Sequence, residues 1–198
     1  MIVIASRNEH KIAEIQALPA ADGLELKPIS EFEGAPVIDE PGTTCEENSA
    51  IKAVKQSLWL KRELGIEPPV IAEDSGLEIE SLMGWPGTQS ARIAKASSER
   101  IIQVLERLGE SANRSAQFVA HTALAINGHL IRTWRGVAQG RIVNKSRGSS
   151  GFGYDPVFED LELKRTYAQL STEEKNERSH RAKAWNQALA YLRSNKFV

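Results

Sequence analysis

Residues 70–77 read Val-Ile-Ala-Glu-Asp-Ser-Gly-Leu, and no other stretch restricts the fold of this chain as strongly. Val70 to Ala72 follow Pro68-Pro69 and are apolar without polar alternation. Such a run suits a short strand buried on both faces, as in a sheet sandwiched between helices. Glu73 and Asp74 then fall at the carboxyl end of that strand. In open α/β sheets this edge is where ligands bind, and two carboxylates there can hold a hard cation such as Mg²⁺ or activate a water. Acidic residues before Ser-Gly are also ordinary turn formers, and the stretch alone leaves both readings open.

The rest of the chain supplies helices for both faces. Ile2 to Ala5 read as a first strand, the turn Ser6-Arg7-Asn8-Glu9 follows, and Ile12, Ile15 and Leu18 mark one face of a helix. A strand-loop-helix opening aims helix N-terminal amides at an anion, and Lys11 adds a cation; Asn8 as a simple cap explains the same residues. Leu24 to Ile29 is a candidate second strand. Thr44 and Glu47 have capping-box spacing, and Ala50, Ile51, Val54 and Leu58 continue as a stripe up to Gly65. Glu47 is thus a reciprocal cap or a third carboxylate for the acidic pair. Leu77, Ile79 and Leu82 continue with period two, and a helix is predicted from about Ser98 to Gly109. Phe118 to Ile126, Asn127-Gly128 and Leu130 to Val137 form a hairpin pattern, with Gly140 to Val143 as one more strand. The glycine-rich loop Gly151-Phe152-Gly153-Tyr154-Asp155-Pro156 admits a ligand close to its backbone, and its aromatic rings can stack on a base; it also reads as a plain surface turn. Ser171 and Glu174 cap a helix that carries Lys175, and Ser179 precedes a second, with His180 and Arg181 in its first turn. Cations at that end oppose the helix dipole, which makes sense where an anion or carbonyl oxygen is bound.

Composition removes several function classes. A net charge of −1 over 198 residues, with no basic block, argues against a polymeric nucleic-acid partner. Cys45 is the only cysteine, so no intrachain disulfide can form, and the missing Cys-x-x-Cys pairs argue against a zinc site built on thiolates. No apolar run approaches membrane-spanning length, and a soluble, cytoplasmic protein is expected. One domain over residues 1–198 is the default, since no boundary or repeat stands out.

Taken together, seven segments resemble the non-canonical purine nucleoside triphosphate pyrophosphatases over essentially the whole chain. They are Ser6-Arg7-Asn8-x-x-Lys11, Thr44-x-x-Glu47-Asn48 with Lys52-Ala53, Glu73-Asp74-Ser75-Gly76-Leu77, Pro86-Gly87-x-x-Ser90-Ala91-Arg92, Gly151 to Pro156, Glu174-Lys175, and Ser179-His180-Arg181. The resemblance implies an α/β fold: an elongated mixed β-sheet flanked by helices, in two lobes around a central substrate cleft, paired as a homodimer. It implies Mg²⁺-dependent hydrolysis of ITP, dITP and XTP between the α and β phosphates, giving the monophosphate and pyrophosphate. By position, Asp74 would be the proton acceptor and a metal ligand, with Glu47 on the metal and Glu73 in support. Ser6, Arg7, Asn8, Glu9, His10 and Lys11 would cradle the phosphates, and Ser75 would touch the substrate. Phe152, Gly153, Tyr154 and Asp155 would embrace the base, with Lys175, His180 and Arg181 completing the pocket. His180 and Arg181 are the expected donors to a 6-oxo group.

Three positions depart from the family's usual residues: Arg7 where glycine is usual, Ser150 where glycine is frequent, and Ile93 where tyrosine is common. A left-handed backbone at Arg7 would cost roughly 1 kcal/mol. Two alternatives stay open on this basis: a catalytically weak homologue that binds purine nucleotides, and a pyrophosphatase for another modified nucleotide.

Overall fold

The computed structural model describes residues 1–197. It has an α/β fold whose seven-stranded sheet runs in the order β2-β1-β3-β5-β6-β7, with β4 paired to β3 off that path. The strands are β1 (Ile2–Ile4), β2 (Leu26–Pro28), β3 (Val70–Ile79), β4 (Pro86–Gly87), β5 (Ser115–Ile126), β6 (His129–Ile142) and β7 (Phe158–Asp160). The helices are α1 (Glu9–Gln16), α2 (Cys45–Leu64), α3 (Ser97–Leu108), α4 (Thr172–Arg178) and α5 (His180–Ser194). β1 is parallel to both β2 and β3, whereas β3–β4 and β6–β7 are antiparallel, so the sheet is mixed.

The chain forms two compact units: residues 1–74, 120–136 and 181–198 make the first, and 75–119 with 137–180 the second. Each of the strands β3, β5 and β6 passes from one unit into the other, so no linker marks the division. That is why the sequence offers no boundary.

In the first unit the strands are covered on both faces, as the apolar run at Val70 requires. Ile2 and Ile4 of β1, Ile71 of β3 and Leu124 of β5 pack with Ile12 and Ile15 of α1 and Trp185, Leu189 and Leu192 of α5. The alternate residues Val3, Val70, Ala72, Ala123 and Ala125 face Ala53 and Leu60 of α2. This is period-two alternation in a fully buried strand, invisible as hydropathy contrast because both faces are apolar. In the second unit, Ile101, Val104 and Leu108 of α3 pack with Leu77, Ile79, Phe118 and Phe158 in a single core.

Local signals explain most element ends. The Thr44 side chain accepts from Glu47 N and Glu47 reaches back, a complete capping box, and Ser171 with Glu174 repeats it at α4. Asn127 and Gly128 have φ of 54° and 78°, the positive pair a two-residue hairpin needs. Two expectations are corrected. β3 does not stop before the acidic pair but continues to Ile79, so Glu73 and Asp74 lie inside a strand. The β1–β3 register ends before them, at Ile4↔Ile71. Gly140 to Ile142 are not a separate strand but the end of β6, where they pair with the unforeseen β7.

Candidate active site

The acidic pair of β3 points its two carboxylates into different environments, because successive side chains of a strand face opposite ways. Glu73 faces α1 and α5. Arg181 Nε lies 3.0 Å and its Nη2 2.9 Å from the Glu73 oxygens, and Trp185 Nε1 donates at 2.9 Å. Lys11 Nζ is 3.2 Å from Glu73 Oε1, and Arg181 Nη1 bonds Glu14 of α1. Burial alone would push the Arg181 guanidinium down, but the Glu73 and Glu14 carboxylates more than offset it and hold it above its ordinary value. Glu73, expected beside the metal, has both oxygens taken by protein donors. Arg181, expected at the base, is 3% exposed and directs three of its nitrogens at Glu73 and Glu14.

Asp74 faces α2. Its Oδ2 accepts from Asn48 Nδ2 at 3.1 Å, and Lys52 Nζ stands 4.0 Å from Oδ1. Lys52 also donates to the Glu73 carbonyl oxygen at 2.7 Å and pairs with Glu40 at 2.6 Å. Glu47 Oε2 accepts from Thr43 N at 2.8 Å, Thr43 Oγ1 at 3.0 Å and Thr44 N at 3.3 Å. The Thr43 backbone N–H, then its hydroxyl and Thr44, hold the Glu47 carboxyl below its usual range. Glu47 is therefore a cap in fact, and an ionised one; all of these bonds fall on Oε2.

The opening loop behaves as a helix start. Asn8 Oδ1 accepts from Lys11 N at 3.2 Å, and Ser6 Oγ accepts from Asn8 N at 3.2 Å. Arg7, Asn8, Glu9 and His10 are exposed, while Ser6 and Lys11 are half-buried. Arg7 is not among the left-handed residues, so the anticipated strain does not arise; its Nη2 donates to Ala35 O at 2.5 Å. Ser150 is likewise accommodated, because positive φ falls on Gly148, Gly151 and Gly153.

The second unit holds the remaining candidates. Lys175 Nζ is 2.5 Å from Asp155 Oδ2 with both side chains buried, and it lies 5.2 Å from the Phe152 ring centroid. Asp155 Oδ2 also accepts from Phe152 N at 2.8 Å. One carboxylate thus fixes both the loop and the lysine, next to Gly153 in the same turn. His180 stacks on Phe118 with centroids 4.7 Å apart and planes 14° apart. Tyr154 is buried and donates to Ser90 O at 2.7 Å, and Ser90 Oγ accepts from Leu77 N at 2.8 Å. Ile93 packs on the same core. Ser75, half-buried, is the first β3 residue of this unit.

Burial pushes the Tyr154 hydroxyl up to about 12, against roughly 10 in an unfolded chain. A raised tyrosine favours its neutral form in the fold, so its contribution is complete below pH ~10 and is lost as pH climbs toward 12. Tyr154→Phe should remove that part of the alkaline decline, at a cost of about 1 kcal/mol at pH 7 from the lost hydrogen bond. Urea denaturation at pH 7 and pH 11 checks both.

A hard oxygen-only donor set on β3 and α2 fits Mg²⁺, which is held through one or two carboxylates with water and phosphate filling the other positions. Among the described residues no group of three or more His, Cys, Asp or Glu forms a ready-made cage. An ion at Asp74 and Glu47 would take its other ligands from substrate and solvent.

Asn48, Lys52, Glu14 and Trp185 complete these arrangements but had no assigned role in the sequence. For Asn48 and Lys52 the signal was available: they lie one position and five positions after Glu47, at the same helix end. Glu14 lies three residues after Lys11 and hence on the same face of α1.

A model described as the Ham1 family matches residues 2–191. A dITP/XTP pyrophosphatase of Geobacillus kaustophilus is 43% identical over 188 residues, covering 92% of this chain and 89% of that one. A dITP/XTP pyrophosphatase of Desulfotalea psychrophila is 39% identical, covering 93% and 81%. The structure of a HAM1 protein from Coxiella burnetii superposes with a TM-score of 0.85 at 37% identity, covering 98% of both chains.

Proposed function

This chain belongs to the Ham1 family, and from that premise we propose that it hydrolyses non-canonical purine nucleoside triphosphates, dITP, XTP and ITP, to the monophosphate and pyrophosphate. The observation that carries the reading is the division of labour on β3: a Glu73 neutralised by Arg181 and Lys11 beside an Asp74 held by Asn48 near Lys52. A carboxylate kept as an acceptor in this way suits a proton acceptor for an attacking water.

Asp74 takes the proton from that water, and Glu47 and Asp74 would hold Mg²⁺. When bound, the ion supplies charge compensation between the carboxylates and the roughly three to four negative charges of a polyphosphate. Lys11, Lys52 and the first amides of α1 add positive potential toward the phosphates, with Ser6 to Lys11 as their cradle. Ser75 touches the substrate. Positioning and charge stabilisation then account for the rate, with no nucleophilic serine or cysteine required. Phe152 to Asp155, Lys175 and His180 serve the base, with Phe152 offering a face for stacking. Arg181 acts through Glu73, as a positioning residue. A donor directed at a 6-oxo group is left unpaired by the 6-amino group of ATP, which supports discrimination of up to about 10⁴-fold. The enzyme works as a homodimer in the cytoplasm; no helix among the described residues is long and apolar enough to cross a membrane.

Initial rates on dITP, XTP, ITP, ATP and the pyrimidine triphosphates test this reading. Strong preference for the 6-oxo purines is expected. A pyrimidine preference would move the assignment to another nucleotide, and tight binding without turnover would make the protein a purine-nucleotide sensor. Glu47→Gln should raise the Mg²⁺ concentration for half-maximal rate several-fold, since one anionic ligand is lost while the amide oxygen still caps α2. An unchanged Mg²⁺ titration would confine Glu47 to capping.

A further inference from the structure

The Asn48 side chain is fully buried in the first turn of α2, and its Nδ2 donates to Asp74 Oδ2 at 3.1 Å. Its other end is keyed to the backbone: Oδ1 accepts from Gly42 N at 2.8 Å. A backbone N–H can only donate, so the amide has one orientation. Turning it over would set an NH₂ against the Gly42 N–H and an oxygen against the Asp74 carboxylate. Gly42 is itself held to glycine by close approach, because a Cβ there would lie 2.6 Å from Asn48 Oδ1 and 2.8 Å from Glu47 Cβ. The segment before α2 therefore sets two things at once: the Glu47 carboxylate through Thr43 and Thr44, and the donor face of Asn48 through Gly42.

We propose that Asn48 is a positioning residue for the reaction: its amide, oriented by Gly42, fixes the rotation of the Asp74 carboxylate by engaging Oδ2, so that Oδ1 is the oxygen presented for chemistry. This rests on the hydrolase reading above. An asparagine suits the task because it donates without being able to take up a proton itself. A carboxylate that must both receive a proton and bear on a metal loses rate steeply when it is displaced, with misplacements of about 1 Å costing on the order of 100-fold.

Asn48→Asp is the most informative variant. It keeps the volume and the bond from Gly42 N, but replaces the donor facing Asp74 with a second carboxylate oxygen that repels it. On XTP its kcat should fall by about 10- to 100-fold while KM stays within about threefold. Asn48→Ala, which removes the donor without adding charge, should show the same split, and it decides the matter if Asn48→Asp fails to fold. Wild-type kcat in the folded variant would overturn the proposal, as would a loss confined to KM. A second readout needs no turnover: in the metal-free protein, the Asn48 side-chain NH₂ should exchange with solvent markedly faster in Asp74→Ala than in the unmodified chain by ¹⁵N NMR. Unchanged exchange would contradict the pairing. If the unmodified protein hydrolyses neither XTP nor dITP, the hydrolase reading fails on its own, and the exchange measurement still decides whether Asn48 holds Asp74.

Discussion

Asp74→Asn should lower kcat on XTP by about 10³-fold or more, within the range removed when a general base is lost, while leaving the fold intact. The substitution removes the proton acceptor and one negative charge but almost no volume. An asparagine at this position can turn its carbonyl oxygen to Asn48 Nδ2, which now lies 3.1 Å from Asp74 Oδ2, so no buried donor is orphaned. Lys52 keeps its bonds to the Glu73 carbonyl and to Glu40. The circular dichroism spectrum and thermal midpoint should therefore match the unmodified protein. A folded Asp74→Asn protein with ordinary turnover would remove Asp74 from the chemistry.

The second large effect is on stability rather than turnover. Arg181→Ala should destabilise the protein by about 3–5 kcal/mol, because it leaves the buried Glu73 carboxylate and Glu14 without their main cation. Lys11 remains near Glu73 Oε1 at 3.2 Å, but a single ammonium cannot replace a guanidinium bonded to both Glu73 oxygens and to Glu14. Arg181→Lys should accordingly rescue only part of the loss. If Arg181 acts through this network, kcat/KM should fall by the same factor on ITP and on ATP. Urea midpoints with unchanged m-values, together with both rate constants, give the answer. A variant of near-normal stability whose preference for ITP over ATP has narrowed would instead put Arg181 on the base.

These two residues also show what the sequence could and could not reveal. The capping boxes at Thr44 and Ser171 and the Asn127-Gly128 turn were legible because their hydrogen bonds close within four residues. The continuation of β3 through Glu73 and Asp74 was not. Carboxylates inside a buried strand are unfavourable on any local measure, and Arg181 and Trp185, which bond Glu73, lie 108 and 112 residues away. β7 was hidden for a related reason: three residues, two of them acidic, become a strand only because Gly140 to Ile142 pair with them. Within the site, the types and positions of the charged residues were readable, whereas their pairings were not. Arg181 read as a cation misplaced at a helix start, and its carboxylate partners come from β3 and α1. Glu47 presented a choice between cap and ligand that the structure answers for Oε2 alone.

This chain is expected to cut a non-canonical purine triphosphate so as to release pyrophosphate. ³¹P NMR of XTP incubated with the protein and Mg²⁺ tests it most directly. The expected spectrum shows XMP and pyrophosphate appearing in equal amounts from the first minutes, with no inorganic phosphate and no XDP. Accumulation of XDP with inorganic phosphate, or an XTP spectrum that never changes, would contradict it.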